Sequence, residues 1–193
     1  MRKNIILAGV GGQGILSIAA CIGLAAIEEG LFLKQAEVHG MSQRGGAVQS
    51  HLRLSSDEIS SDLIPEGKAD LIISVEPMES LRYLPMLSAD GLIITSINPF
   101  ININNYPDLE VILMEIWKQN NYYTLDADAI AKECGSVKAA NMVILGAAVP
   151  FLGLNPQSID NAIRNLFKNK GEDMINMNLS AKNAGLQYVR DNS

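Results

Sequence analysis

The stretch Asn4 to Val10 (NIILAGV) runs straight into Gly9-Val10-Gly11-Gly12-Gln13-Gly14 and then into a long apolar segment, and this junction limits the fold more than any other part of the chain. A short apolar run stopped by glycines is the pattern of a buried strand. Gln13 to Glu29 then reads as a helix, with Gly30 where a left-handed C-terminal cap would sit. The helix carries Ile15, Leu16, Ile18, Ala19, Ile22, Ala26 and Ile27, so it has little polar surface and should pack tightly on a sheet. A GxGxxG spacing between a strand and a helix lets backbone approach a phosphate, and the helix start offers unpaired N–H groups at a positive dipole end. The same glycines would also serve a tight turn and close packing with no ligand at all. Gly9, Gly11, Gly12, Gln13 and Gly14 are therefore candidate anion- or nucleotide-binding residues, with a structural turn as the alternative. Glu37 stands near the place where a dinucleotide site wants an acid, but His39-Gly40 follows at once, which disfavours ordinary NAD binding.

Further along, segments 33–38 and 47–54 read as strands close enough in sequence to form an antiparallel edge. Gln49, His51 and Arg53 alternate with Val48, Ser50, Leu52 and Leu54 on the second of them. Segment 70–75 is a third buried strand; Pro77 opens a helix reaching about Leu87, and 91–96 is the next strand. An Asn-rich loop over 98–107 precedes an expected strand at 111–116 and helices at 126–134 and 139–152. Asn155-Pro156 starts a helix with Ile159, Ala162, Ile163, Leu166 and Phe167 in one stripe. A last helix is expected over 180–190. The alternation predicts an α/β fold: one domain over 1–193, three-layer α/β/α, with a mostly parallel Rossmann-like sheet and an antiparallel edge hairpin.

Composition narrows the function. With 193 residues, 19% of them charged, and a net charge of −6, the chain is globular and ill-suited to nucleic acid, which is gripped by Lys and Arg. No basic run suits an anionic membrane surface. Met1-Arg2-Lys3 loosely imitates a signal peptide, but Gly11-Gly12-Gln13 interrupts the apolar run and 15–27 is too short to span a bilayer, so a cytoplasmic protein is expected. Cys21 and Cys134 lie far apart and make no disulfide framework, zinc site or iron–sulfur ligand set, so no metal site and no catalytic dyad or triad is expected. The methionines Met41, Met78, Met86, Met114, Met142, Met174 and Met177 are scattered as core fillers would be, and Trp117 suits packing as well as function.

The segment His39-Gly40-Met41-Ser42-Gln43-Arg44-Gly45-Gly46 carries the second signal. Arg44, flanked by Gln43 and the pair Gly45-Gly46, could fork onto a phosphate or carboxylate, with Ser42 and Gln43 adding neutral hydrogen bonds. An interface ion pair for Arg44 is the equal alternative. His39 and His51 read more as structural than catalytic. Glu76 ends a strand before Pro77, at the end of the sheet where ligands bind, but local capping or an interface ion pair is the simpler role.

These two motifs, Gly9 to Gly14 and Glu37 to Gly46, resemble those of the gamma-type subunit or domain of 2-oxoacid:ferredoxin oxidoreductases. Leu63-Ile-Pro-Glu-Gly-Lys-Ala-Asp70, Glu76-Pro-Met-Glu-Ser-Leu-Arg82 and Asn141-Met-Val-Ile-Leu-Gly146 agree with it, and the resemblance spans Asn4 to about Gly153. The form Glu-Val-His-Gly-Met-x-Gln-Arg-Gly-Gly is similar to that of indolepyruvate-type members. The resemblance implies oxidative decarboxylation of a 2-oxoacid, here an arylpyruvate such as indolepyruvate, to an acyl-CoA with reduction of ferredoxin. It places thiamine diphosphate, magnesium and 4Fe-4S clusters on a large alpha subunit, leaving this chain inactive alone and without a tightly bound cofactor. Coenzyme A at the subunit interface, indirect contact with ferredoxin, and a homodimer or heterotetramer are compatible with it. Two other classes stay open: a free-standing NAD(P)- or nucleotide-binding oxidoreductase, and a module sensing a nucleotide or acyl-CoA.

Overall fold

The computed structural model describes residues 1–39 and 45–193. Its sheet has six strands in the order β2-β3-β1-β4-β5-β6, comprising β1 (Arg2–Val10), β2 (Phe32–His39), β3 (Ala47–Ser55), β4 (Ala69–Ser74), β5 (Leu87–Ser96) and β6 (Tyr122–Leu125). β3 is antiparallel to both of its neighbours, whereas β1, β4, β5 and β6 are mutually parallel. The expected edge hairpin on a mostly parallel sheet is therefore present.

Strand alternation sends Ile5 and Leu7 to one face and Ile6 to the other, and the two faces support separate cores. On the smaller face Ile6, Ile72 and Ile93 meet Ile112, Leu113 and Ile116 of α3 (Leu109–Trp117), beside α2 (Pro77–Arg82). On the larger face lie α1 (Ile15–Glu28) and α5 (Ala140–Leu152), covered in turn by α6 (Pro156–Phe167) and α7 (Glu172–Asp191), with α4 (Ala127–Glu133) alongside. That layer is two helices deep. It explains why α1 and α5 lack a polar face: each is packed on the sheet from below and on a helix from above.

Four expectations need correction. The strand expected at 111–116 is the helix α3, because Asp108 caps its start by accepting from the Glu110 N–H at 3.1 Å and Ile112, Leu113 and Ile116 fall on one helical face. β6 was not foreseen; it is a four-residue edge strand with only Leu125 fully buried, too short to show a period. The last helix begins at Glu172 directly after Gly171 and so is much longer than 180–190. The helix expected from Pro77 to Leu87 also stops at Arg82, followed by a 3-10 turn over Leu84–Met86 that contains Pro85. Of the methionines, Met142 is fully buried and Met114 is half exposed. Trp117 is half exposed as well, with its Nε1–H donating to Thr124 Oγ1 at 3.3 Å.

Lys182 is the largest charged group buried in this framework, with 2% of its surface exposed. Its Nζ lies 2.5 Å from Asp160 Oδ1, a close ion pair without hydrogen-bond alignment that ties α7 to α6. Removing the acid alone strands an ammonium in the core, so Asp160→Ala is expected to cost about 2 kcal/mol. Adding Lys182→Met to Asp160→Ala removes both charges and keeps the lysine's volume, so this double variant is expected to stay within about 1 kcal/mol of the parent. Urea unfolding of the two variants checks this; equal losses would show that the pair's charge is irrelevant.

Candidate functional site

β1 leads to α1 on one face of the sheet and β4 leads to α2 on the other, so a crevice opens where the carboxyl ends of these neighbouring strands part. The glycine loop lies at this switch point. Gly9 is still within β1, and a Cβ there would fall 2.6 Å from Val75 Cγ2. Gln13 is a brace: its Oε1 accepts from the Val10 N–H at 2.8 Å, and its Nε2 donates to the Val75 carbonyl at 3.5 Å. It thus holds the end of β1 to the segment after β4, a role the motif did not suggest.

Gly14 is the N-cap of α1 with φ of +79°, and no side chain caps that helix start among the described residues. The first turn of α1 holds no acidic residue either. The Ser17 N–H is taken by the Gly14 carbonyl at 3.0 Å, so such a helix start leaves the N–H groups of Ile15 and Leu16 and its dipole available for an anion.

Beside it lies a cleft of about 510 Å³ bounded by the glycine loop, Ser17 and Val75 on one side and by Lys138, Asn141, Lys170 and Asn178 on the other. Lys138 belongs to the 3-10 turn before α5 and Lys170 to the one before α7. Asn141 is 8% exposed and Asn178 4%. Asn141 spends its Nδ2–H on the Gly14 carbonyl at 3.1 Å, and Asn178 spends its own on the Met174 carbonyl at 2.7 Å. Met174, Met177 and Phe167 supply an apolar wall. Asp128 also lines the cleft; its carboxyl is raised above the ordinary range by burial and secondarily by Asp126. The arrangement therefore offers two cations, a helix start and an apolar wall in one space, which suits an anionic ligand with an apolar part.

The second motif meets the first. The Gly11 N–H donates to the Gly46 carbonyl at 2.8 Å and the Gly45 N–H to the Gly11 carbonyl at 3.4 Å. Gly9, Gly11, Gly12, Gln13, Gly14, Gly45 and Gly46 are thus brought together, whereas Gly40, Met41, Ser42, Gln43 and Arg44 lie outside the described residues. The cleft residues Lys138, Asn141, Lys170 and Asn178 were not singled out for it by sequence reasoning. Asn141 and Gly14 are in contact across 127 positions.

Glu76 is fully buried and caps α2, as expected: its Oε2 accepts from the Glu79 N–H at 2.7 Å. Its Oε1 accepts from the Phe100 N–H at 3.3 Å and from the Tyr106 hydroxyl. Burial pushes its carboxyl up, and the Tyr106, Glu79 and Phe100 hydrogen bonds oppose that rise. Tyr106 is itself pushed well up, by burial first and then by the neighbouring Glu76 carboxylate. His51 is neutral and structural, since its Nδ1 accepts from the Ile64 N–H at 3.0 Å while burial and then Arg53 lower its pKa.

Cys21 is fully buried in α1 and burial pushes its thiol up to about 12, so it is a poor metal ligand. Among the described residues no three His, Cys, Asp or Glu side chains gather to hold a metal ion, and no helix is long and apolar enough to cross a membrane.

Comparison with known proteins gives consistent findings. The family profile described as "Pyruvate ferredoxin/flavodoxin oxidoreductase" matches residues 4–188. The chain is similar to indolepyruvate oxidoreductase subunit IorB of Pyrococcus horikoshii, 36% identical over 198 residues, covering 97% of this chain and 96% of that one. The IorB of Archaeoglobus fulgidus is 37% identical over 194 residues, covering 96% and 94%. Among solved structures, a 2-oxoglutarate:ferredoxin oxidoreductase from Magnetococcus marinus, with 2-oxoglutarate, coenzyme A and succinyl-CoA bound, superimposes with a TM-score of 0.80 at 22% identity. That match covers 98% of this chain and 31% of the longer one, so the same fold occurs there as part of a larger polypeptide.

Proposed function

The chain belongs to the pyruvate ferredoxin/flavodoxin oxidoreductase family, and from that membership we propose that it is the small subunit of a ferredoxin-dependent indolepyruvate-type 2-oxoacid oxidoreductase whose cleft helps hold coenzyme A. The complex oxidises and decarboxylates an arylpyruvate such as indolepyruvate to the acyl-CoA, passing electrons to ferredoxin. The single observation carrying the coenzyme A reading is the conjunction of the uncapped α1 start with Lys138 and Lys170 in one cleft.

The residues here do not fit the family's other cofactors. Two cysteines, one sealed in the core, cannot supply the four thiolates of a 4Fe-4S cluster. Thiamine diphosphate, magnesium and the clusters are accordingly assigned to the large subunit, and this chain supplies no group to the carbanion or electron-transfer steps. Ferredoxin then meets the complex through that partner.

For coenzyme A the residues do fit. Lys138 and Lys170 would counter phosphate charge, the N–H groups at the start of α1 would donate to phosphate oxygens, and Met174, Met177 and Phe167 would shield the uncharged arm. Coenzyme A supplies the thiol that takes the acyl group; the chain's own part is to bind and orient it. The carboxyl end of the sheet also carries exposed Leu16, Val38 and Ile101, the last at 72% exposure, which suits burial against the large subunit.

The test is charge reversal in the assembled complex. Lys138→Glu with Lys170→Glu is expected to raise KM for coenzyme A by about 10-fold or more while leaving KM for indolepyruvate unchanged. Viologen reduction under anaerobic conditions reads both. An unmoved coenzyme A KM would sink the cleft assignment, and NAD(P) binding by the chain alone would favour the free-standing oxidoreductase.

A further inference from the structure

A single strap, residues 98–107, joins the buried carboxylate of Glu76 to the contact between the two glycine motifs. The strap is pinned at its start, where Asn98 Nδ2 donates to Asp126 Oδ1 at 2.9 Å and Asn98 Oδ1 accepts from the Asp128 N–H at 3.1 Å. Glu76 then takes hold of it twice, through the Phe100 N–H and through the Tyr106 hydroxyl. Between those two points Asn102 Nδ2 donates to the Gly45 carbonyl at 2.5 Å, and Gly45 and Gly46 are hydrogen-bonded to Gly11. Gly11 is followed directly by Gly12, which lines the cleft.

Capping α2 occupies only one oxygen of the Glu76 carboxylate. Full burial of a carboxylate is costly unless its other oxygen is also engaged. Here that second oxygen is given wholly to the strap, which otherwise presents exposed apolar side chains: Phe100 is 41% exposed and Ile103 42%. A loop with so little of its own core would be free to shift on the sheet end without such an anchor.

We infer that Glu76 and Tyr106 are positioning residues: through the strap and Asn102 they set the place of the Gly45–Gly46 and Gly11–Gly12 backbone at the mouth of the cleft, and so the affinity of the complex for coenzyme A. This rests on the coenzyme A reading above. None of the residues need touch the ligand.

The experiment uses the complex with the large subunit and the variants Tyr106→Phe, Asn102→Ala and their combination. Each single variant removes one link without deleting the carboxylate. Each is expected to raise KM for coenzyme A about fivefold, with kcat within about twofold. Because both links lie on one path, the double variant is expected to stay near fivefold, where independent effects would multiply to about 25-fold. KM for indolepyruvate should not move.

A multiplied effect, or a fall in Tm with coenzyme A KM unchanged, would overturn the inference and leave these residues as plain supports of the loop. The lysine reversals in the same assay separate the two ideas. If they raise KM and the strap variants do not, the cleft assignment stands and the strap inference falls. If the strap variants act and the lysine reversals do not, the cleft assignment falls, and with it the route from strap to cleft.

Discussion

Gly146→Ala is expected to lower the melting temperature by about 8–16 °C, or to prevent accumulation of folded protein, through a loss of about 4 kcal/mol. Gly146 sits where α5 crosses α7, and a Cβ built there would lie 1.9 Å from the Lys182 carbonyl oxygen. The contact is reciprocal: a Cβ on Gly185 of α7 would lie 1.9 Å from the Val143 carbonyl oxygen. Two backbones are therefore in contact at the crossing, and a methyl group has no flexible side chain to push aside. The helices must separate, which would open the packing of Met142, Ala147 and Leu179 around them. Gly23→Ala in α1 is the control. Its new Cβ would meet only Leu33 Cδ2, at 3.1 Å, and the helix gains up to about 1 kcal/mol of propensity in return. Thermal unfolding of both variants checks the account, and similar Tm values for the two would refute it.

Gly14→Ala is expected to reduce kcat/KM for coenzyme A in the assembled complex by about 100-fold. Two physical costs meet at this residue. Its φ of +79° carries a penalty of about 1–2 kcal/mol for a residue with a Cβ. That Cβ would also lie 2.4 Å from Asn141 Nδ2, the group that donates to the Gly14 carbonyl. The start of α1 would have to move away from the cleft wall. Adding Asn141→Ala removes the collision but not the dihedral penalty, so the double variant should regain part of the lost activity. Steady-state assays with coenzyme A varied, beside a Tm measurement, read both effects. Near-parental kcat/KM in a folded Gly14→Ala variant would show that the glycine loop does not shape the ligand site.

The strand-to-helix junction at Gly9 to Gly14 was legible because its information is local: an apolar run, glycines, then a second apolar run. The sequence shows this loop and the Gly45-Gly46 pair only as two separate motifs. The pairing of β3 with both β1 and β2 joins them by direct hydrogen bonds. The α3 segment misled because VILMEIW is apolar enough for a buried strand, and its helical character rests on the Asp108 cap and on which side faces Ile72 and Ile93. Gln13 was legible as a loop residue, yet its role as a brace depends on Val75, 62 positions away.

What the sequence by itself determined is the class of fold, its hairpin edge, its glycine-rich switch point and, through two motifs in order, the family. Each of these is written in residues adjacent in the chain, where backbone conformation and hydrophobic period act. Only the tertiary structure decided that Lys138, Asn141, Lys170 and Asn178 complete a cleft against the start of α1, and that Glu76 reaches the glycine loops through the strap. Those groups come from separate helices and loops. They meet because α5 and α7 can touch backbone to backbone at Gly146 and Gly185, a long-range packing fact that no local pattern encodes.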